Sequence, residues 1–343
     1  MTRPLVVATD VASPTPNMVD TRPRPADGWL AHLPVSLFAS VMGIGGLSLA
    51  WRRAAATHLA PAWIGQALFW VALVVFIPLI ALYAAKWAVR PAAALAEARH
   101  PIKMPFLSTI TIAVLVLATA GSELMPAAAQ VMWWIGAIGQ LGLTVGIVSA
   151  WLSRSEIASP MVTPAWFIPV VGNIVTALAA RTIGSLEFAW LAFGVGLTFW
   201  GGLLPLVLQR LLLAGAPLPL KLTPTLAITI APPAVALLSW QSLTGQDDSP
   251  AARVLFGAML AFLALLLAQG RLLRTVPFGM PYWAYTFPLA AAAAASVAVA
   301  AARPHAAYTV LVWALLVLSS IVVTAVAVLT LRAAVRREIC VPE

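Results

Sequence analysis

The sequence predicts an all-α integral membrane protein of ten transmembrane helices, and three observations carry that expectation. Hydrophobic residues make up 62% of the 343 residues and charged residues only 9%, against roughly a quarter charged in an average soluble domain. So few charges could not cover a water-facing surface of this size, whereas lipid tails solvate apolar side chains directly. The charges also punctuate the chain instead of mixing into it, leaving ten long segments free of Asp, Glu, Lys and Arg. Finally, the apolar runs are continuous and lack the alternation of a membrane barrel strand. Backbone polar groups in lipid must then be satisfied within each segment, which only a helix does.

Taken in order, the segments run 28–51, 54–85, 104–122, 124–153, 157–180, 188–209, 222–246, 254–270, 275–302 and 304–331. Their lengths, 17 to 32 residues, fit a span of about 20 apolar residues with about 17 as the lower limit. Residues 1–27 differ, carrying Arg3, Asp10, Asp20, Arg22, Arg24 and Asp27 among five prolines. They read as a solvated, disordered tail. Residues 28–335 form the ten-helix domain and 336–343 a second tail holding the lone Cys340, which has no intramolecular disulfide partner. No apolar h-region with a small-residue cleavage site precedes the first span, so no cleaved signal peptide is expected.

Orientation follows from the basic residues. Of the 20 Lys and Arg, Arg52, Arg53, Arg181, Arg253 and Arg303 fall on one side, and the other fifteen fall on the N-terminal side or after even helices. Positive loops stay cytoplasmic, which places both termini inside and the protein in the inner (plasma) membrane. The net charge of +9 then faces anionic lipid headgroups and needs no nucleic-acid partner.

Prolines reveal an internal repeat. Pro34, Pro105, Pro164, Pro224 and Pro281 each stand near the start of an odd-numbered helix, at spacings of 71, 59, 60 and 57 residues. Odd helices carry more prolines inside, namely Pro169, Pro232, Pro233 and Pro288, where a missing N–H bends a helix. The even helices hold fewer, Pro78, Pro126 and Pro205 toward their ends, with none in the eighth and tenth. Five hairpins of a bent inner and a straighter outer helix predict a ring about a pseudo-fivefold central pore.

Small polar residues gather on the inner set and are the candidate pore lining: Ser36 and Ser40, Ser108 and Thr109, Asn173, Thr229 and Thr286. Hydroxyls and freed carbonyls replace part of an ion's hydration shell; the competing view is that small residues merely let helices approach. No ionisable residue is expected deep within a span, with Glu123, Glu187 and Arg181 at span ends. That weakens ion-coupled pumping and fits a passive conduit whose helix dipoles and basic mouths favour anions. The histidines His32, His58, His100 and His305 lie at edges or in loops, and the sequence holds a single cysteine. No haem ligation, metal site, cofactor or enzymatic chemistry is therefore expected.

Several segments resemble one family. The run from Leu33-Pro34-Val35-Ser36-Leu37-Phe38 to Gly46-Leu47-Ser48-Leu49-Ala50-Trp51-Arg52 is similar to the first helix of the tellurite-resistance/dicarboxylate transporter proteins. So is Thr163-Pro164-Ala165-Trp166-Phe167-Ile168-Pro169-Val170-Val171-Gly172-Asn173, with the seventh helix around Ile230-Ala231-Pro232-Pro233. Tyr282-Trp283-Ala284-Tyr285-Thr286-Phe287-Pro288 resembles the matching segment of the plant guard-cell slow anion channels. The resemblance covers about residues 29–335. It implies a homotrimer of ten-helix protomers, each with its own pore, and a phenylalanine on the ninth helix plugging that pore. Here that residue is Phe287, beside the kink proline Pro288, with Phe38 and Phe106 as further candidates for the constriction. The expected function is conduction of small anions such as chloride or nitrate. The alternative is a secondary transporter or exporter of C4-dicarboxylate, sulfite or tellurite.

Overall fold

A computed structural model describes residues 28–153, 161–213 and 217–341. The tail expected at 1–27, and the end of the one at 336–343, lie outside the described residues. Among those described, the structure is helical with no strand. Ten helices are long and apolar enough to cross a membrane: α1 (Val35–Ala56), α2 (Ala62–Val89), α3 (Met104–Gly121), α4 (Pro126–Ser153), α5 (Pro164–Ile183), α6 (Leu186–Leu213), α7 (Leu220–Thr244), α8 (Pro250–Ala268), α9 (Met280–Ala302) and α10 (Ala306–Val335).

Charges mark the loops less sharply than the segments implied. Arg52 and Arg53 belong to the end of α1, Lys86 to the end of α2 and Arg210 to the last turn of α6. The eighth helix starts at Pro250, four residues earlier than its charge-free segment, and so does carry a proline. That proline sits in the first turn, where no N–H is needed, and the Ser249 Oγ accepts the Ala252 N–H at 3.2 Å as the cap. Pro78 and Pro205 lie inside α2 and α6 and not toward their ends.

Burial divides the helices into two classes. In the odd helices 67% to 89% of the apolar window is buried, against 22% to 33% in the even ones. Contacts close the odd set into a ring in which α1 packs on α3, α3 on α5, α5 on α7, α7 on α9 and α9 back on α1. Each even helix packs on its own hairpin partner and on the next inner helix, so α2 also touches α3, α4 touches α5, and α10 returns to α1. The pseudo-fivefold arrangement of hairpins is thus present in one chain. Indole N–H groups tie the layers together: Trp133 Nε1 donates to the Thr176 carbonyl at 2.9 Å, Trp51 to Ser320 and Trp283 to Thr330, both at 3.0 Å.

The proline repeat has a local meaning. Every inner helix opens with a 3-10 stretch at its proline and then becomes α-helical: 35–37 after Pro34, 104–107 with Pro105, 164–166, 220–230 and 280–285. Pro169, Pro232 and Pro288 stand in the first turn of the α portion, where 3-10 winding gives way. There a missing N–H costs least, since the first N–H groups of a helix lack intrahelical acceptors. These prolines mark a change of winding instead of a break in mid-helix. Its consequence is that side chains in the opening turns recur every three residues, not every 3.6.

Candidate functional site

The inner ring encloses two cavities on its axis. The basal cavity, at the start of the odd helices, is lined from all five of them, including Ser36, Ala39 and Met42 of α1, Phe106, Thr109 and Ile112 of α3, Val171 and Val175 of α5, Ile228 and Ala231 of α7, and Phe287 and Pro288 of α9. Its volume is about 60 Å³, room for about two waters at roughly 30 Å³ each. The apical cavity, at the hairpin loops, measures about 510 Å³ and is likewise lined from every inner helix, by Leu49, Arg52, Arg53, Thr119, Glu123, Leu178, Leu238, Ser242 and Ala294 among others. Between the two, the same helix faces continue through Gly46, Val116, Val235 and Ala291, all buried. From Met42 to Leu49 on α1 this seal is about 10 Å thick at 1.5 Å per residue.

Phe287 stands at the basal edge of the seal and is 8% exposed. Its ring leans on α1, where glycine makes the room: a Cβ at Gly46 would stand 3.0 Å from Phe287 Cδ2. One turn earlier Gly43 faces Thr286 and Trp283 and has no space for a side chain. The glycine run of α1 is therefore the surface against which α9, and the ring of Phe287, rests.

Of the residues expected at the pore, Ser36, Phe106, Thr109, Phe287 and Pro288 come together at the basal cavity. Ser40 lines instead a lateral cleft with Leu33, Leu37 and Thr330. Phe38 is fully buried in edge-to-face contact with Phe76 at 6.1 Å and Tyr83 at 5.7 Å, on the α2 side. Ser36, Ala39 and Met42 recur at three-residue steps and turn inward. Phe38 lies two positions from Ser36 and so faces away from it, and the tighter 3-10 turn at 35–37 swings Ser40 off the face that Ser36 holds. Ser108 is buried away from the cavity, and Thr229, Pro232 and Thr286 sit in helix contacts.

The hydroxyls also serve the backbone. Ser40 donates to the Leu37 carbonyl at 2.7 Å, Thr109 to Phe106 at 2.6 Å, Thr225 to Leu222 at 2.6 Å, Thr229 to Leu226 at 2.8 Å and Thr286 to Trp283 at 2.7 Å. Each reaches back three residues at the same stage of an inner helix, supplying carbonyls that the change of winding leaves poorly paired. Pro169 and Asn173 face α4 and not the axis. The Pro169 carbonyl accepts from Gln140 Nε2 and from Thr144 Oγ1, each at 2.6 Å, and Asn173 Nδ2 donates to Thr144 Oγ1 at 2.7 Å.

Three charged or polar features escaped the sequence reading. Gln140, fully buried, receives the Thr111 hydroxyl at 2.6 Å and so bridges α3, α4 and α5. Lys86 and Glu97 form a buried ion pair at 2.7 Å; Glu97 lies on the helix Pro91–Arg99 between the first two hairpins. Its carboxylate also accepts the Val35 N–H at 2.9 Å and the Tyr83 hydroxyl at 3.2 Å, and Lys86 donates to the Leu33 carbonyl at 2.7 Å. Finally, Arg52 pairs with Glu123 at the apical cavity. In the apical loops Asp248 bridges Arg303 and Arg253. Hydrogen bonds from Arg303 and then Arg253 hold its carboxyl well below the usual aspartate range. Among the described residues no three His, Cys, Asp or Glu side chains gather into a metal site.

The sequence that builds this ring is similar to those of known proteins. Over 268 residues the chain is 28% identical to a tellurite resistance protein TehA homolog of Haemophilus influenzae, covering 76% of this chain and 79% of that protein. It is 26% identical to the S-type anion channel SLAH3 of Arabidopsis thaliana over 78% of this chain and 43% of the relative. Against the guard cell S-type anion channel SLAC1 of the same plant it is 25% identical, over 80% of this chain and 51% of the relative. The chain thus spans about half the length of these two plant relatives. Residues 32–331 match the family described as SLAC1, voltage-dependent anion channel, and on that match the chain belongs to the SLAC1/TehA family of multi-pass membrane proteins.

Proposed function

We propose that this protein is a passive channel for small inorganic anions such as chloride or nitrate, conducting along the axis of the inner ring. The observation that carries the reading is the pair of opposed cavities, each lined from all five inner helices and separated by a thin apolar seal. No Asp, Glu, Lys or Arg stands in that seal on α1, α3, α7 or α9 between the two cavities, so nothing there relays a proton or holds a coupling cation. Phe287 is the gate: a ring in a narrow apolar lumen blocks ions by volume and by excluding water. Arginines at the apical mouth favour anions over cations. The sequence bias of fifteen Lys and Arg against five supports cytoplasmic termini. The relatives named as anion channels support the same cargo class.

The exposed apolar faces of the even helices serve lipid and, in this reading, the neighbours in a homotrimer, which native mass spectrometry in detergent tests. The rival reading is a proton-coupled carrier of C4-dicarboxylate, sulfite or tellurite. Reversal potentials of the purified, reconstituted protein separate the two. A channel follows the chloride gradient alone, and a reversal potential that moves with pH at a fixed chloride gradient would refute it.

A further inference from the structure

We infer that the apical cavity is an anion-capture site in which Glu123 acts as a tethered competitor, occupying the Arg52 guanidinium until a passing anion displaces it. This rests on the anion-channel reading and adds the site at which the anion is first held. The cavity places two arginines on consecutive positions of one helix end, Arg52 and Arg53, together with the polar groups of Gln66, Ser122 and Ser242. Both arginines belong to an inner helix whose axial face leads straight to the seal.

The two arginines differ in what they face. Arg52 has a side chain only 14% exposed and is paired with Glu123, whose side chain is 83% exposed. The stem of Arg52 is fixed by close packing on α2, since a Cβ at Gly65 would lie 2.5 Å from Arg52 Cγ. The guanidinium is therefore held in place inside the cavity, while its carboxylate partner approaches from water on the loop between α3 and α4. An ion pair with one member in solvent is weak and readily exchanged. Glu123 is thus chemically a resident anion with a short leash. It keeps the site from trapping its cargo, in the way that conduction requires binding weak enough to release.

Arg53 has no ion-pair partner among the described residues; the carboxylate whose charge reaches it is Asp247, in the loop after α7. Arg53 is the standing positive charge of the site, and Arg52 is the one Glu123 regulates. A planar guanidinium suits monatomic halides and planar or tetrahedral oxyanions alike, through forked N–H donors.

The test uses the full-length protein in two measurements. Crystals soaked in bromide are examined by anomalous scattering, and chloride current from the apical side is measured against concentration in planar bilayers, in a Phe287→Ala background that admits flow. The wild-type apical cavity is expected to show bromide at Arg53. Glu123→Gln adds bromide at Arg52 and lowers the half-saturating chloride concentration by roughly fivefold, the scale of an exposed ion pair. Arg53→Gln raises it and reduces current entering from the apical side. Glu123 is exposed, so its substitution leaves the packing intact. Unchanged bromide density and unchanged half-saturation in Glu123→Gln would overturn the competitor role. Bromide bound as expected but with no chloride current in any variant would instead leave the site standing and overturn the channel reading.

Discussion

Replacing Glu97 by Gln keeps the side chain's shape and removes its charge, which isolates what the buried ion pair does. In the native protein the Lys86 side chain is 2% exposed and that of Glu97 8%, so neither charge can turn to water. The carboxylate has three donors, Lys86, Tyr83 and the Val35 N–H. The glutamine amide can still accept from Val35, but the Lys86 ammonium is left with the Leu33 carbonyl as its remaining acceptor. Breaking one side of a buried pair costs about 3–5 kcal/mol because the surviving charge is uncompensated. The amide keeps part of the network, so Glu97→Gln is expected near about 3 kcal/mol on that scale. Lys86→Met alone leaves the Glu97 carboxylate with two neutral donors and should cost a similar amount. The double substitution removes both charges and should be less destabilised than the sum of the singles by about 2 kcal/mol or more, the coupling expected between partners in one network. Equilibrium unfolding in mixed micelles, followed by tryptophan fluorescence, measures all four corners of the cycle. Additive losses, or a single-substitution cost below about 1 kcal/mol, the range of a surface pair, would refute the argument. The pair also bears on the basal cavity, because Val35, held by Glu97, in turn offers its carbonyl to the Thr109 hydroxyl at 3.3 Å, joining α1 to α3 there.

Gly184→Ala should destabilise the protein by about 1–3 kcal/mol as overpacking, because the new Cβ would lie 2.5 Å from the rigid Trp133 ring; the same unfolding assay checks it. Gln140→Leu removes one of the two side-chain donors to the Pro169 carbonyl and one acceptor of the Thr111 hydroxyl, and should cost about 1–3 kcal/mol for the two buried hydrogen bonds lost, read in the same unfolding assay. Asp248 has a folded-state pKa below its unfolded one, so its stabilising contribution is complete above the ordinary aspartate range and is lost as pH falls through the depressed value. Thermal stability of Asp248→Asn should therefore fall short of wild type near neutrality and converge with it only in strong acid; a constant difference across that range would contradict the assignment.

The spans were legible because charge and hydropathy register the bilayer directly, and the inner and outer classes because proline recurs once per hairpin. Faces within the inner helices were not, and the cause is local. A proline-led 3-10 turn shifts the side-chain period, so Ser36 meets the axis while Ser40, four residues on, turns to the cleft. The hydroxyls of Thr229 and Thr286 looked like pore lining, and nothing in composition reveals that they are bonded to carbonyls three residues back. Gln140 sits on an outer helix, where no pore residue was sought, and its bond to Pro169 is a tertiary fact. Glu97 lies in a connecting helix whose composition reads as solvent-exposed; only the fold brings it under α1. The arginines closing α1 were counted as a loop charge, and their inclusion in the helix is what turns them toward the apical cavity.

The most direct test of the whole account is chloride current through purified Phe287→Ala in planar bilayers, beside wild type at equal protein. The ring stands at the basal edge of a seal that continues through Gly46, Val116, Val235 and Ala291. Its removal should raise conductance at least about tenfold, equal to a barrier lowered by about 1.4 kcal/mol, with reversal still set by the chloride gradient. A well-folded Phe287→Ala protein with wild-type conductance would contradict a pathway through the ring's axis closed at that residue.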